Sequence, residues 1–312
     1  MNLMTSSRLK SLRLCQRMER FQYRMGMRPV VDAEALVFGT LVHKALEAWW
    51  NSYGLDSGAR LGAALTALDD APEGLIKEKV AALIAGYHHR WIDEPFKPLA
   101  VEVEFKAPLI NPLTGEPSQQ WNLGGKLDAI VRDTRDGLIY ILEHKTSSED
   151  ISLGSAYWQR LQLDSQISIY FDGAKSLGYE IEGCIYDVIG KPKIRQLKAN
   201  SRREEDETVR GYQDRLIKDI AAKPSEYYQR GAIVRLEQEM VQHRQDIWAM
   251  ATQLSQSEVF EYAPRNPDSC WKYGRPCSFW GVCSGSASID DPNLFKKTEI
   301  HPELTQAKEA TT

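Results

Sequence analysis

Residues 124–147 read GGKLDAIVRDTRDGLIYILEHKTS, and this stretch contains the pattern that decides the fold. Two apolar segments flank the turn-forming residues Asp133–Gly137, so the stretch predicts a β-hairpin. Because side chains alternate along a strand, Glu143 and Lys145 lie on one face of the second predicted strand. When the two strands pair, Asp128 of the first strand can share that face. The hairpin therefore predicts two carboxylates and an ammonium group at one edge of a sheet.

Two carboxylates beside a lysine are suited to phosphodiester hydrolysis. Hard cations such as Mg²⁺ prefer oxygen ligands, and a bound metal polarises a phosphate and stabilises its developing charge. A neighbouring lysine can position the attacking water and offset negative charge. The same three residues could instead form a surface salt-bridge network along two strands. The residues by themselves leave both interpretations open.

The remainder of the chain predicts an α/β core of about residues 33–200 with helical segments on both sides. The alternating sequence AVEVEFKA, residues 100–107, predicts another strand, and Gly183–Ile189 predicts a short buried one. We expect a mainly antiparallel sheet. The spacing of apolar residues predicts helices over residues 5–26, 33–53, 74–91, 155–177, 204–222 and 235–256.

Further polar residues accompany the hairpin at helical spacing. Gly39 and His43 are four residues apart in one predicted helix, and Gln166 and Tyr170 are four apart in another. In chain order, the patterns G-x-x-x-H, G-x-x-D, E-x-K and Q-x-x-x-Y resemble those of the RecB-like branch of the PD-(D/E)XK superfamily. The resemblance spans about residues 6–283. This branch includes the nuclease domains of the RecBCD and AddAB machines, CRISPR-associated exonucleases and phage recombination exonucleases.

The resemblance implies a restriction-endonuclease-like α/β fold in which a central mixed sheet is flanked by helices. It implies one nuclease domain over residues 1–284, and the polar segment 285–312 is expected to be a flexible tail. The implied activity is metal-dependent DNA exonuclease activity in recombination, repair, or phage or CRISPR DNA processing. The implied catalytic residues are Lys145, Asp128, Glu143, Gln166 and Tyr170, and the implied Mg²⁺ or Mn²⁺ ligands are His43, Asp128, Glu143 and the backbone carbonyl of His144.

The cysteines form a second candidate metal site. Cys270, Cys277 and Cys283 follow the pattern C-x6-C-x5-C, and Cys15 stands alone near the N-terminus. Four such thiols can bind either zinc or an iron–sulfur cluster, and the residues do not distinguish these two. A subset of RecB-like nucleases has one cysteine before the nuclease motifs and three after them, which hold a [4Fe–4S] cluster. The resemblance thus implies a cluster that joins the N- and C-terminal segments, while Cys184 is expected to be an inert buried thiol.

The net charge of −4 is unevenly distributed, because residues 1–28 contain seven basic residues and one acidic residue. Such a local excess of positive charge attracts phosphates even on an acidic protein. Four of the arginines are three or four residues apart, which is helical spacing. They predict a basic stripe that binds DNA, and the alternative is a solvated helix face. The stripe consists of Arg13, Arg17, Arg20 and Arg24.

Location and partners are inferred from composition and from the resemblance. No apolar run is long enough to span a membrane, and the N-terminus lacks the apolar core of a signal peptide, so a cytoplasmic location is expected. The partner is expected to be DNA that is single-stranded or has a free end. The chain lacks a P-loop motif and so carries no P-loop helicase motor of its own, and whether it acts alone, as a ring, or beside a helicase, recombinase or CRISPR integrase stays open. The alternative functions are a catalytically silent DNA-binding or assembly subunit and a zinc-stabilised interaction domain.

Overall fold

The structure is a computed structural model that describes residues 1–31, 33–201, 203–260, 262–272 and 274–305. Its strands are β1 (Asn2–Met4), β2 (Met27–Pro29), β3 (Phe96–Ile110), β4 (Pro117–Asp133), β5 (Ile139–Ser147), β6 (Gly183–Gly190), β7 (Tyr228–Ile233), β8 (Trp271–Lys272), β9 (Arg275–Pro276) and β10 (Phe295–Lys297).

Helices surround these strands. The α-helices are α1 (Ser6–Leu14), α2 (Gln16–Glu19), α3 (Glu34–Asn51), α4 (Ser57–Thr66), α5 (Leu75–Arg90), α6 (Ala156–Leu161), α7 (Ser165–Ser176), α8 (Val209–Ala222), α9 (Pro224–Tyr227), α10 (Glu237–Val259), α11 (Trp280–Ser284) and α12 (Pro302–Thr305). A π-helical turn (Arg20–Arg24) and a 3₁₀ turn (Pro267–Ser269) complete them. None of these helices is long and apolar enough to cross a membrane.

The central sheet is mixed and has six strands. Five of them follow the order β1-β4-β5-β6-β7, and the sixth, β3, also pairs with β4. β4 and β5 form the predicted antiparallel hairpin. β5 and β6 are parallel, as are β1 and β4, so the expectation of a mainly antiparallel sheet holds only for part of it. The parallel pairing of β5 with β6 requires a crossover connection, and α6 and α7 provide it.

Apolar side chains cover both faces of the sheet. On one face, α3, α5 and α8 pack through residues such as Trp49 and Tyr212 against Leu142. On the other face, α7 and α10 pack against Leu127 and Ile141. This arrangement of a mixed sheet between helical layers confirms the fold that the resemblance implied.

The N-terminal helix that was predicted over residues 5–26 is broken, which corrects the expected continuous basic stripe. α1 ends at Leu14 because Cys15 has an extended backbone with φ −166° and ψ 120°. After this break α2 and the π-helical turn run in a new direction. The Nη2 atom of Arg8 is 2.8 Å from Oε1 of Glu19, and both side chains are buried. This ion pair ties α1 to α2 across the break.

The helix that was predicted over residues 155–177 is also divided, into α6 and α7. Asp164 is the N-cap of α7, and its Oδ1 accepts a hydrogen bond from the backbone N–H of Gln166 at 2.7 Å. Aspartate favours this position because its side chain satisfies a backbone donor that lacks a partner within the helix. The new helix start orients the face of α7 that carries Gln166 and Tyr170.

The segment after residue 284 was expected to be a flexible tail, and the structure describes it up to residue 305. β10 pairs antiparallel with β2, and the ring of Phe295 stacks on that of Phe279 at a centroid distance of 5.4 Å. The apolar Phe295 side chain is buried, which explains why this part packs against the body of the protein. Residues 306–312 of the predicted tail lie outside the described residues.

Candidate active site

The site begins where the β4–β5 ladder ends. Ala129 and Leu142 are the last paired residues on this side of the hairpin. Beyond them, the backbone N–H of His144 donates to Oδ2 of Asp128 at 2.7 Å. The Asp128 carboxylate therefore accepts the hydrogen bond that a strand carbonyl would accept at the next position of the ladder. The backbone of β5 thereby determines the position of this carboxylate.

Glu143 and Lys145 lie on the same face of β5, as the alternation of side chains predicted. The ammonium group of Lys145 bonds to Oε1 of Glu143. The amide Nε2 of Gln166 donates to the same oxygen at 2.8 Å and also contacts the Tyr170 hydroxyl at 2.8 Å. The residues that the sequence patterns selected on two strands and a helix are thus joined in one hydrogen-bonded group.

Gly125, the glycine of the G-x-x-D pattern, permits a close approach between β4 and α7. A Cβ atom at this position would lie 2.8 Å from Cε1 of Phe105 and 3.1 Å from Cε1 of Tyr170. Only a glycine leaves room for both rings. The glycine therefore allows α7 to bring its polar residues against the end of the hairpin.

His43 of α3 completes a possible metal-binding group with a residue that the sequence analysis missed. Its Nδ1 lies 3.3 Å from Oδ1 of Asp128. His43, Glu102 and Asp128 each offer one possible ligand atom, and these three atoms lie within 4.8 Å of one another. Glu102 lies on β3, between Val103, which is opposite Leu127, and Val101, which is opposite Ala129. These three side chains can hold a cation between β3, β4 and α3.

Glu102 has the backbone geometry of a functional position. Its φ of +51° places a non-glycine residue in the left-handed region, within a strand. Such a conformation costs on the order of 1 kcal/mol or more and is found preferentially at active sites. Its carboxylate bonds to the ammonium group of Lys126. The alternating strand pattern showed that Glu102 is polar, but only the pairing of β3 with β4 places it beside Asp128.

The carboxylates differ in protonation because their surroundings differ. Burial raises the pKa of Glu143 to about 7, and the nearby charge of Asp128 acts in the same direction. Burial and Asp128 likewise raise the pKa of Glu102 to about 7. Burial would also raise the pKa of Asp128, but His43, His144 and Lys145 hold it well below its usual range.

Neighbouring carboxylates favour the protonated forms of Lys145 and His43. Burial would lower the pKa of Lys145, but Glu143 and Asp128 raise it above its ordinary value. Burial would also lower the pKa of His43, but Asp128 raises it above its ordinary value. The site therefore combines an ionised aspartate and a charged lysine with two carboxyl groups that titrate near neutrality.

Comparison with known proteins assigns the chain to a superfamily. The family model of the PD-(D/E)XK nuclease superfamily matches residues 4–284. The chain belongs to this superfamily. The crystal structure of a candidate exonuclease from Eubacterium rectale is similar to this chain. The similarity covers 91% of this chain and 94% of that chain, with a TM-score of 0.50 and 11% identity. At this identity the likeness concerns the fold.

Two further comparisons add little to the superfamily assignment. The crystal structure of SSO0001 aligns over 83% of this chain and 90% of its own at 17% identity, but the TM-score is only 0.30. That score is too low to support an argument. No curated protein matches the sequence significantly.

The imidazole of His144 packs edge-on beside the ring of His43, at a centroid distance of 6.3 Å. It is buried, and its Nδ1 is 3.3 Å from Oδ2 of Asp187 on the neighbouring strand β6. Asp187 in turn faces Arg230 across the sheet. His144 therefore acts on Asp128 through its backbone N–H, which holds the carboxylate, and through its imidazole, which helps His43 to lower the pKa of that carboxylate.

The four cysteines outside the core meet at the junction of the two chain ends. Cys15, Cys270, Cys277 and Cys283 line one cavity of about 250 Å³. The carbonyl of Leu14 accepts hydrogen bonds from Asn266 Nδ2 at 2.9 Å and Ser269 Oγ at 2.7 Å. Cys184 is instead buried in the sheet core. The structure thus brings together the cysteines that the sequence patterns grouped and leaves Cys184 apart from them.

The arginines that were predicted to bind DNA as one stripe have diverging positions. Arg13 contacts Ser165 of α7, whereas Arg17 donates from Nε to the carbonyl of Ala263 at 3.0 Å. Arg24 Nε is 3.2 Å from Oε2 of Glu19, and its Nη2 donates to the Ser257 hydroxyl at 2.7 Å. Arg20 belongs to the same π-helical turn as Arg24. Because Cys15 interrupts the helix, Arg17 and Arg24 hold the chain ends together, and Arg13 turns toward the active site.

Proposed function

We propose that this member of the PD-(D/E)XK superfamily is a divalent-metal-dependent DNA exonuclease, with an iron–sulfur cluster joining its chain ends. The observation that carries the proposal is the convergence of Asp128, Glu143 and Lys145 with His43 and Gln166 at one end of the β4–β5 hairpin. Such a cluster would be costly as a purely structural feature, because three of these residues are buried or nearly so. The resemblance to RecB-like nucleases supports digestion from a DNA end and a helicase, recombinase or CRISPR integrase as partner.

The residues present fit a hard divalent cation. The Oε2 atom of Glu143 is buried and has no hydrogen-bond partner among the described residues, so a ligand is needed to satisfy it. Carboxylates and an imidazole are suitable donors for Mg²⁺ or Mn²⁺. Glu102, Asp128, His43 and Glu143 would hold the metal together with the backbone carbonyl of His144. When bound, the metal supplies Lewis-acid activation of the phosphate.

The protein's own residues orient the reacting groups. Lys145 stays charged because of Glu143 and Asp128, so it can bind a non-bridging phosphate oxygen and offset the charge that develops there. Gln166 holds Glu143 in place, and Tyr170 holds Gln166. These contacts fix the carboxylate relative to the lysine before DNA binds, which avoids reorganisation during the reaction.

The proposal is tested by incubating anaerobically purified protein with end-labelled single- and double-stranded DNA. Shortening of the label from one end with Mg²⁺ or Mn²⁺, and none with EDTA, is the expected result. Labelling either the 5′ or the 3′ end reports the direction of digestion. Binding of DNA without cleavage under all metal conditions would contradict the proposal and favour a silent DNA-binding subunit.

Metal affinity is expected to increase as the pH rises through about 7. The pKa of Glu143 and of Glu102 is raised to about 7, so below that pH these groups carry protons that the metal must displace. Titration of Mn²⁺ calorimetrically at pH 6 and pH 8, in two buffers of different ionisation enthalpy, should show proton release at the lower pH. Replacing Glu102 by Gln should reduce that release, and unchanged release in this variant would contradict its role as a ligand.

The resemblance to RecB-like nucleases favours an iron–sulfur cluster over zinc at the cysteine site. All four cysteines line the same cavity, so they can bind one metal group together. Four cysteine thiolates are the usual ligands of a [4Fe–4S] cluster. It would close a loop from Cys15 to Cys283 and restrict the unfolded chain.

Replacing Cys270 by Ser is expected to remove the bound iron and to lower the thermal midpoint. The free energy of unfolding should fall by a few kcal/mol, by analogy with a disulfide that closes a long loop. Iron and acid-labile sulfide are measured in the purified protein together with its visible spectrum. The matched control is Cys184→Ala, which should retain its iron, since Cys184 lies in the sheet core. Stoichiometric zinc and no iron in the wild-type protein would overturn this part of the proposal.

A further inference from the structure

The N-terminal helix α1 reaches the active site, although no sequence pattern indicated it. α1 lies across the start of α7, where Arg13 contacts the hydroxyl of Ser165. One turn earlier on α1, the ammonium nitrogen of Lys10 lies 3.5 Å from Oε1 of Gln166. The same Gln166 amide group donates to Glu143. Lys10 therefore lies at the edge of the hydrogen-bonded group that contains the proposed catalytic residues.

The surroundings of Lys10 favour the binding of an anion. Its side chain is solvent-accessible, but it is sufficiently enclosed that desolvation lowers the pKa of its ammonium group. The charges of Asp164 and Glu143 raise the pKa of this group, and the charge of Lys145 lowers it. Among the described residues no carboxylate lies within 4.0 Å of its nitrogen, and Gln166 is its hydrogen-bond partner. A partly desolvated cation of this kind gains most from a bound anion.

The wider surroundings of α1 on this side are also cationic. Arg13 follows Lys10 by three residues, so both lie on the same side of α1. Arg13 and Arg235 both lower the pKa of His243 on α10, after burial as the main cause. Arg235 itself is occupied, because its Nη2 donates to the carbonyls of Leu161 and Asp164. Lys10 and Arg13 are thus the cations of this group that contact the start of α7.

We propose that Lys10 and Arg13 form a phosphate-binding subsite that holds a DNA phosphate next to the scissile one. The inference rests on the proposed nuclease function and adds a substrate contact to it. Lys145 contacts Glu143 and Lys10 contacts Gln166, and Gln166 donates to Glu143, so a strand whose scissile phosphate meets Lys145 can place a neighbouring phosphate at Lys10. Phosphates recur at every nucleotide, so this contact does not depend on base sequence.

The subsite acts on binding more than on the chemical step. A contact with a phosphate that does not react is equally strong in the ground state and in the transition state. Its loss therefore raises KM and leaves kcat nearly unchanged, whereas loss of Lys145 lowers kcat. Because α1 ends at Cys15, the cysteine site holds the helix that carries both cations. The subsite thereby connects the chain-end junction with DNA binding.

The test is fluorescence anisotropy of a 5′-labelled single-stranded oligothymidylate in EDTA, over a range of salt concentrations. Lys10→Ala should weaken binding about 5- to 10-fold at low salt and make the slope of log K against log salt less negative by about 0.7. Lys10→Arg should keep most of the affinity because it keeps the charge. The matched control is Lys175→Ala, an exposed lysine at the other end of α7, about 13 Å along the helix from Gln166. It should bind like the wild type.

Two results would overturn the inference. One is an unchanged affinity and salt slope in both Lys10→Ala and Arg13→Ala. The other is a loss of kcat with unchanged binding in Lys10→Ala, which would make Lys10 part of the chemistry instead of a subsite. The failure of the proposed function looks different, because the wild-type protein would then not cut DNA under any metal condition. Thermal melts of each variant verify that the fold is retained.

Discussion

Replacing Lys145 by Met is expected to reduce DNA cleavage about a hundredfold to a thousandfold while the protein stays folded. The charged ammonium group of Lys145 offsets negative charge at the phosphate, and removal of one such group typically costs two to three orders of magnitude in kcat. Its removal also leaves Glu143, whose pKa is already raised by burial, without its cation. Single-turnover cleavage of an end-labelled oligonucleotide, with enzyme in excess, measures the effect on the chemical step.

The matched control is Lys44→Met. Lys44 is next to His43 on α3, but its Nζ pairs with the exposed carboxylate of Asp70 at 3.4 Å. This variant should cut DNA at the wild-type rate. Wild-type cleavage by Lys145→Met, in a preparation free of contaminating nuclease, would exclude the proposed site. If the cluster acts as one unit, the double variant Lys145→Met/Asp128→Asn should lose little more activity than the more strongly affected single variant.

Replacing Arg230 by Ala is expected to lower the free energy of unfolding by about 3–5 kcal/mol, since it leaves buried charges without a partner. The guanidinium of Arg230 lies 2.8 Å from Oε2 of Glu94 and 3.0 Å from Oδ2 of Asp187, and both carboxylates are buried. It also donates to the Tyr87 hydroxyl at 2.8 Å and lies over the ring of Trp91. Urea unfolding followed by far-ultraviolet circular dichroism measures the difference.

The control for this prediction is Arg244→Ala. Arg244 also has two carboxylate partners, Asp172 at 2.7 Å and Glu237 at 3.3 Å, but it lies closer to solvent. Its loss should cost less than about 1 kcal/mol, as is usual for solvent-exposed pairs. Equal destabilisation by the two substitutions would show that burial does not determine the contribution of Arg230.

Acid unfolding provides an independent readout of the same network. Burial would raise the pKa of Asp187, but Arg230 lowers it below its ordinary range. For a carboxylate with a lowered pKa, the stabilisation is present above the unfolded-state pKa and is lost as the pH falls through the folded-state pKa. Without Arg230 the folded-state pKa rises, so the variant should unfold at a higher pH than the wild type.

Local sequence patterns were sufficient for much of the fold. The alternation in residues 124–147 predicted the β4–β5 hairpin, and the turn residues Asp133–Gly137 are where the chain reverses. The same alternation predicted that Glu143 and Lys145 share a face. Helical periodicity predicted α3, α5, α8 and α10 to within a few residues. These features are local, because strand and helix periodicities depend only on neighbouring side chains and on turn chemistry.

Other features depended on contacts between distant segments. The break at Cys15 could not be seen in the charge spacing of residues 13–24, because it depends on packing against the C-terminal segment. The parallel pairing of β5 with β6 likewise required the crossover through α6 and α7. The helix predicted over residues 155–177 is divided at Asp164. This division had a local signal, because aspartate is a preferred N-cap, but the helical periodicity of the whole segment led to the prediction of one continuous helix.

The sequence by itself determined which residue types stand at the end of the hairpin and, through the ordered patterns, the superfamily. Only the tertiary structure decided which further residues join them. Glu102 meets Asp128 because β3 pairs with β4, and Lys10 meets Gln166 because α1 crosses the start of α7. The physical reason is that periodicity specifies the face on which a side chain lies. Which distant side chain shares that space is specified by the packing of whole elements, through the apolar cores on the two faces of the sheet.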